Sequence, residues 1–133
     1  MNLRPPRPDN LSQTIMNKIA DFNDSELWII RTTLEERYGE AIEPELVEVE
    51  LRLDPGVTEL TLCPAAYWEK SDCHFIVPKV GDNRYRCQFY YRVHEMFGTG
   101  VEEYDDLSEC MVTLLQVQSD HEASHAGSTS DPV

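Results

Sequence analysis

The string with the clearest chemical signature is His121-Glu122-Ala123-Ser124-His125. Two histidines one helical turn apart, with a glutamate after the first, are typical of zinc proteases, in which the imidazoles bind the metal and the carboxylate acts as a base. A catalytic zinc also requires a third protein ligand and a cleft that excludes water, and Asp131 is the sole possible ligand that follows. We therefore predict no metal site and no cofactor at this string.

Thiol chemistry requires a base beside the sulfur, and the sequence offers one such pairing. Cys73-His74 could meet His94-Glu95 in the fold as a nucleophile with its base. Lone cysteines and histidines are far more often structural, so we favour that role. Cys87 and Cys110 fall on the apolar faces of a predicted strand and a predicted helix, which predicts small buried side chains. Together with Cys63, none of these thiols has the Cys-x-x-Cys spacing of zinc and redox motifs.

Three arginines and a tyrosine share one side of the stretch from residue 84 to residue 93. Apolar and polar side chains alternate there, which predicts a half-buried β-strand at the centre of a sheet. The polar side could bind an anionic ligand or a carboxylate-bearing protein segment. The alternative, which we favour, is cross-strand pairing with Glu48 and Glu50, because opposite-charge pairs are common in antiparallel sheets. The residues of this possible ligand face are Arg84, Arg86, Tyr90 and Arg92.

Two helices are predicted before the sheet. Apolar residues recur at helical spacing over residues 11–22, which predicts a first helix. Asn23 and Glu26 have the spacing of a capping box, and Gly39 has the position of a left-handed cap, so a second helix should lie between them. We expect the two helices to form a hairpin. The pair Trp28-Ile29 widens the apolar arc of the second helix, which predicts that it is sandwiched between the first helix and the sheet.

Short turns separate the predicted strands, so we expect an antiparallel meander. Its earlier strands are predicted at residues 47–53, 60–62, 67–68 and 73–77.

A third helix follows the sheet. Asp106 and Glu109 repeat the capping-box spacing, and the apolar stripe ends near Val117. The predicted fold class is α+β, with an N-terminal helical hairpin, an antiparallel β-meander of four to five strands and a C-terminal helix, and with the helices packed on one sheet face. Phe89 and Val49 should then share the face that the helices cover.

The charge of the chain limits the kinds of partner that it can bind. Its 25 acidic and 11 basic residues give a formal net charge of -14, which disfavours direct binding of nucleic acid or of an anionic membrane. We expect instead a protein partner with a basic surface. The predicted partner-binding residues are Glu102, Glu103, Asp105, Asp106, Glu40 and Glu43.

The apolar residues are continuous enough for one domain. We predict a Pro-rich disordered arm at residues 1–9, a single α+β domain at residues 10–118 and a disordered tail at residues 119–133. The N-terminal residues lack the apolar core of a secretory signal, and no apolar run is long enough to span a bilayer, so the expected location is the cytoplasm.

Three hypotheses about function follow from these features. The first, which we favour, is a small acidic accessory or regulatory protein without catalytic activity that binds a protein partner through its acidic surfaces. The second is an inhibitor that mimics nucleic acid and binds a nuclease or a DNA-binding protein. The third is a small ligand-binding domain or enzyme that uses the Arg/Tyr face together with His74 or His94. The oligomeric state does not follow from the sequence.

Overall fold

A computed structural model of the chain describes residues 2–4, 15–56, 58–92 and 95–130. Within these ranges the chain forms eight strands and two helices, which confirms the predicted α+β class. The strands are β1 (Asn2–Arg4), β2 (Ile15–Lys18), β3 (Glu45–Leu51), β4 (Leu60–Lys70), β5 (Cys73–Gly81), β6 (Arg84–Tyr85), β7 (Gln88–Tyr90) and β8 (Met96–Phe97). The helices are α1 (Asp24–Tyr38) and α2 (Leu107–Ser130).

The strands form one antiparallel sheet with two local additions. Its order is β1-β3-β4-β5-β7-β8, and each strand runs antiparallel to its neighbours in that series. Strand β2 lies parallel to the start of β4, and β6 pairs with the end of β5. Two-residue turns join β4 to β5 and β5 to β6, and Ser71, Asp72 and Asn83 adopt the positive φ angles that such hairpin loops require.

Local signals in the sequence define both ends of α1. Asn23 accepts a hydrogen bond from the Glu26 amide, and Glu26 accepts one from the Asn23 amide, both at 2.8 Å. Gly39 ends the helix with a φ of 72°, in the left-handed region that glycine occupies without strain. The Glu109 amide likewise donates to Asp106 before α2. The predicted caps are therefore confirmed.

The two helices cover one face of the sheet, which we call the helix face. Ile30 and Leu34 of α1 are fully buried there, and α2 adds a stripe of apolar side chains. The sheet contributes Trp68, Phe75 and Phe89, whose rings lie next to one another along the register. The α2 stripe consists of Leu107, Cys110, Met111, Leu114 and Leu115.

A second, smaller apolar cluster lies on the opposite face of the sheet. Val49, Cys63 and Ile76 are its central members, and neither helix contributes a side chain to it. The prediction that Val49 shares a face with Phe89 is therefore wrong. The register decides this point: Phe89 lies on the same face as Trp68, whereas Val49 pairs with Cys63, an odd number of residues away from Trp68.

The predicted strand over residues 84–93 is interrupted. Tyr85, Cys87 and Phe89 do alternate into the helix face as expected, but β6 and β7 are separate short strands. The Arg86 amide donates to the Pro78 carbonyl, and Pro78 has no N–H to return the second bond of that pair. The ladder is therefore broken at this point.

The prediction that the second strand ends at Pro64 is also wrong, because β4 continues through this residue. Pro64 lies between Leu62, where pairing with β2 stops, and Ala65, where pairing with β5 starts. On that side of the strand none of the described strands pairs with Pro64, and a strand can accept a proline there. The predicted second and third strands are thus one strand of 11 residues.

The helix predicted over residues 11–22 is not found in the part of that range that is described. Residues 11–14 lie outside the described residues, and Ile15–Lys18 forms β2 because it hydrogen-bonds to the start of β4. No helix of the described ranges covers α1 on the side away from the sheet, and Trp28 is 67% exposed. The predicted hairpin of two helices is corrected to one helix preceded by a strand.

Helix α2 continues beyond Val117, where the sequence predicted its end, to Ser130. One turn after Leu114, the buried Gln118 takes the core-facing position, and His121 follows it. The His121 ring packs against Phe97, with 4.5 Å between ring centroids. Gln118 and His121 thus extend the side of α2 that faces the sheet. Because both side chains are polar, a search for apolar residues alone predicts too early an end for the helix. The division into arm, domain and tail stays a prediction.

Candidate functional site

Glu40 and Glu43, in the link between α1 and β3, are both engaged with basic side chains of the chain. Glu43 accepts hydrogen bonds from the Arg31 guanidinium, the shortest at 2.6 Å, and this contact raises the pKa of Arg31. Glu40 forms an ion pair with Lys70, whose hydrogen bond lowers the pKa of Glu40. Both carboxylates are exposed, but the charge of each is balanced by the basic side chain that it contacts.

The acidic loop before α2 contains both engaged and exposed carboxylates. Glu103 accepts two hydrogen bonds from Arg84, at 2.7 and 3.0 Å, which lower the pKa of Glu103. Asp106 caps α2. Glu102 and Asp105 are exposed, and in the described part of the chain neither takes part in an ion pair. The six residues predicted to bind a partner thus do not form one continuous free patch.

The favoured pairing of the arginines with Glu48 and Glu50 is not found. Strands β4 and β5 separate β3 from β7, and Glu48 and Glu50 lie on the helix side of the sheet, away from Arg86. Glu48 instead lies 3.4 Å from Lys18. Among the described residues, the acidic side chain nearest to Arg92 is Glu95, at 4.0 Å. Cross-strand pairing depends on which strands become neighbours, and the sequence pattern did not contain that information.

Part of the predicted ligand face does come together on the opposite face of the sheet. The His74 ring stacks on Tyr90, with 4.8 Å between ring centroids, and its Nδ1 atom lies 2.7 Å from the Tyr67 hydroxyl. Glu69 lies 3.9 Å from the other ring nitrogen. Arg84 and Arg92 do not join this cluster, and His94 lies outside the described residues.

A cleft of about 620 Å³ lies farther along the same face, and we call it the Arg86 cleft. Arg86 forms part of its wall and is held by the Leu53 carbonyl at 3.4 Å and by Glu103 at 3.6 Å. Because Leu51 of β3 and Met96 of β8 both line the cleft although three strands separate them, the sheet must curl around it. The remaining wall residues are Pro78, Cys87, Gln88, Gly98, Thr99, Gly100, Val101 and Glu102.

Cys73 cannot pair with the imidazole of His74, and His94, the other base considered for it, lies outside the described residues. Cys73 and His74 are neighbours in one strand, so their side chains point to opposite faces of the sheet. Cys73 is buried in the helix face, where burial raises the pKa of its thiol to about 11. The predicted burial of Cys87 and Cys110, in contrast, is confirmed.

A buried charged network, which no pattern in the sequence predicted, joins α1 to the sheet. Lys79 donates to Glu26 at 2.9 Å and to the Asp21 carbonyl at 3.2 Å, and the Tyr85 hydroxyl donates to the other oxygen of Glu26. Burial alone would raise the pKa of Glu26, but the hydrogen bonds and the Lys79 charge lower it. The available signal was a lysine within the apolar run of β5.

The largest exposed apolar side chain lies on α1. Trp28 is 67% exposed, and the helix places Asp24 one turn before it and Arg31 one turn after it. Glu35 lies two turns after it on the same side. We call this region the α1 surface, and it consists of Asp24, Trp28, Glu35, Glu36 and the ion pair of Arg31 with Glu43.

Comparison of the chain with models of protein families, with curated proteins and with solved structures finds no match. Neither helix in the described ranges combines the length and the apolar character that crossing a bilayer requires. Among the described residues, no three His, Cys, Asp or Glu side chains lie close enough together to hold a metal ion. The side chain of His125 lies outside those residues.

Proposed function

We propose that this chain is a small accessory protein of the cytoplasm, without catalytic activity, that binds a protein partner through the α1 surface. The observation that carries the proposal is the 67% exposure of Trp28 on a helix that is capped at both ends. Tryptophan is enriched at the centres of protein interfaces, where a rigid aromatic side chain enters a pocket of the partner. The capped helix holds the indole in place before binding, which reduces the ordering that binding requires.

The charges around Trp28 indicate the chemistry of the partner. Asp24, Glu35 and Glu36 are exposed, and the nearest base, Arg31, is already paired with Glu43. A partner should therefore present an apolar pocket with a basic rim. Attraction between such surfaces extends over about 10 Å at 0.1 M salt and acts mainly on the association rate.

The same charges favour a protein partner over mimicry of nucleic acid. Mimicry requires a continuous row of free carboxylates in place of phosphates. Glu40, Glu43 and Glu103 are each bound to a cation of the chain, which interrupts such a row. The nucleic-acid-mimicking inhibitor therefore remains the less supported alternative.

The test of the proposal compares two variants that each remove an exposed apolar side chain. The tagged wild-type chain is used to capture its partner from an extract of the native host. Trp28→Ala should fail to retain that partner, because its affinity should fall more than tenfold, as for central interface residues. Val112→Ala is the matched control, because Val112 is 58% exposed on the other helix. Equal retention by Trp28→Ala and the wild-type chain would refute the proposal.

A second pair of variants tests which acidic surface attracts the partner. The variant Asp24→Asn, Glu35→Gln, Glu36→Gln changes the α1 surface, and Glu102→Gln, Asp105→Asn changes the loop before α2. Neither variant breaks an ion pair of the described chain. We expect the first variant to slow association several-fold at low salt and the second to have little effect. The reverse result would place the binding site on the acidic loop.

The Arg86 cleft favours a second candidate function, the binding of a small ligand. It combines one guanidinium and the Gln88 amide with the apolar side chains of Leu51 and Met96, which suits an apolar molecule that carries a carboxylate. NMR titration with simple aromatic and aliphatic carboxylates would test it. Shifts of the amides around the cleft should appear in the wild-type chain and disappear in Arg86→Gln.

A further inference from the structure

A cavity of about 470 Å³ lies at the tip of the β4–β5 hairpin, between the end of α1 and the middle of α2, and we call it the hairpin cavity. Arg37 and Tyr38 line it from α1, Lys70 from the hairpin, and Gln118 and Glu122 from α2. Its volume lies within the range of ligand pockets. None of these residues belongs to the α1 surface or to the wall of the Arg86 cleft, so the cavity is a third, separate region.

Two charges of opposite sign line this cavity without pairing with each other. Arg37 and Glu122 are both exposed, and within the described ranges neither takes part in an ion pair. Lys70, the other basic residue of the wall, is balanced by Glu40. One unpaired cation and one unpaired anion thus line the same space from two different helices.

A buried amide holds the Glu122 carboxylate in place. Gln118 is 7% exposed, and its amide nitrogen donates to Glu122 at 2.7 Å and to the Tyr91 hydroxyl at 2.9 Å. Because these two bonds use both amide protons, the position of the carboxylate is defined before a ligand arrives. Such an arrangement reduces the ordering that binding requires.

Tyr38 adds a further polar group to the wall. Its hydroxyl oxygen is buried, yet it does not reach hydrogen-bond geometry with any described group. Buried polar atoms normally have a partner, so this hydroxyl is one that a molecule in the cavity can satisfy. The Tyr38 ring and the Ala123 side chain also give the cavity an apolar part, and the Lys70 ammonium group lies 5.4 Å from the centre of that ring.

We propose that the hairpin cavity binds a free amino acid with an apolar side chain, whose carboxylate contacts Arg37 and whose ammonium group contacts Glu122. A guanidinium binds a carboxylate through two hydrogen bonds, and a carboxylate accepts hydrogen bonds from an ammonium group. Glu122 repels a simple anion, and Arg37 repels a simple cation. A zwitterion satisfies both charges at once, and its side chain would lie against the Tyr38 ring and Ala123. The inference does not depend on the partner proposed for the α1 surface.

The first test is an NMR titration of the full-length chain at pH 7 with three probes of one carbon skeleton. L-leucine carries both charges, 4-methylpentanoate lacks the ammonium group, and 3-methylbutylamine lacks the carboxylate. L-leucine should shift the amides of Ser71, Ser119 and Ala123 to saturation. Each analogue should bind at least about tenfold more weakly, because it lacks one of the two charge-assisted contacts. An analogue that binds as tightly as L-leucine, or no saturable shift by L-leucine up to its solubility limit, would overturn the proposal.

Two variants assign the two charges of the ligand. Arg37→Gln should weaken the binding of L-leucine about tenfold but leave that of 3-methylbutylamine unchanged, and Glu122→Gln should do the same with 4-methylpentanoate as the unaffected probe. Arg52→Gln and Glu109→Gln, which change exposed residues outside the cavity, are the matched controls and should bind L-leucine like the wild-type chain. Equal losses in a variant and its control would contradict the proposed contacts. If a variant shifts amides throughout the chain, the order of the three probes on the wild-type chain decides.

Discussion

At the scale of single residues, the buried charges of Glu26 and Lys79 impose the strictest requirement. Burial of two charges costs more than their attraction returns unless their remaining donors and acceptors are satisfied. Glu26 accepts from the Asn23 amide, from Lys79 and from the Tyr85 hydroxyl, and Lys79 also donates to a backbone carbonyl. The network therefore fixes the start of α1 on β5 and β6, and a helix-capping residue also serves as a tertiary anchor.

The substitution Glu26→Gln should destabilise the fold by roughly 3–5 kcal/mol at pH 7, because it leaves the Lys79 charge buried without a counter-charge. The pKa of Glu26 is lowered from its ordinary value of 4.5, so its contribution is present above pH 4.5 and is lost as the pH falls through the folded-state pKa. The difference in free energy of unfolding between the wild-type chain and Glu26→Gln, measured in urea, should therefore decrease as the pH is lowered. Glu36→Gln, an exposed change on the same helix, is the control. A gap that stays constant from pH 7 to about pH 3 would contradict the role of the carboxylate.

At the scale of elements, α2 shows how a helix can extend beyond its apolar stripe. Gln118, in the core-facing position of α2, donates to the Tyr91 hydroxyl at 2.9 Å and to Glu122 at 2.7 Å, so hydrogen bonds continue the contact of the helix with the end of the sheet beyond the apolar stripe. The His121 ring lies beside Phe89, Tyr91 and Phe97. In the string that resembles a zinc-protease motif, His121 therefore packs against aromatic rings and Glu122 accepts a hydrogen bond from Gln118.

Replacement of His121 by Ala should lower the free energy of unfolding by roughly 1 kcal/mol, the order of one or two ring contacts. Ser124→Ala changes an exposed position one turn later and should have almost no effect. Denaturation in urea, followed by circular dichroism, measures both. An unchanged stability in His121→Ala would show that α2 does not rely on this contact.

At the scale of the whole molecule, the sheet separates two apolar clusters. The helix face contains Phe89 and the side chains of both helices, whereas the opposite face contains Val49, Cys63 and Ile76. The curl of the sheet also forms the Arg86 cleft on that opposite face. The molecule thus has a large apolar cluster on the helix face and a small one on the opposite face. The stacked rings of Tyr67, His74 and Tyr90 lie on the opposite face.

The two clusters should respond to substitution independently. Phe89→Ala should cost roughly 3–5 kcal/mol and Val49→Ala roughly 1.5–3 kcal/mol, as expected for buried side chains of these sizes. Because the residues lie in different clusters, the double variant should show the sum of the two losses within about 0.5 kcal/mol. Urea denaturation of the four proteins completes the cycle. A coupling above about 1 kcal/mol would mean that both side chains share one core after all.

The features that could be predicted from the sequence are those whose physical causes lie within a few residues of chain. The caps at Asn23, Gly39 and Asp106 depend on hydrogen bonds between near neighbours or on the freedom of one glycine, and all three were predicted. The alternation of Tyr85 and Phe89 into the core was equally local. The α+β class follows from the order of such local patterns.

Only the tertiary structure shows which segments of the chain come into contact. The face of Val49 depends on the parity of the register across three strand pairs, and a shift of one residue in any of them reverses it. Glu103, rather than Glu48, pairs with the arginines because the loop before α2 returns to β6. Trp28 is exposed, and Ile15–Lys18, from the segment that was expected to cover it as a helix, pairs with β4 instead. Contacts between distant segments depend on the whole arrangement of strands, so no local pattern in the chain could specify the candidate sites.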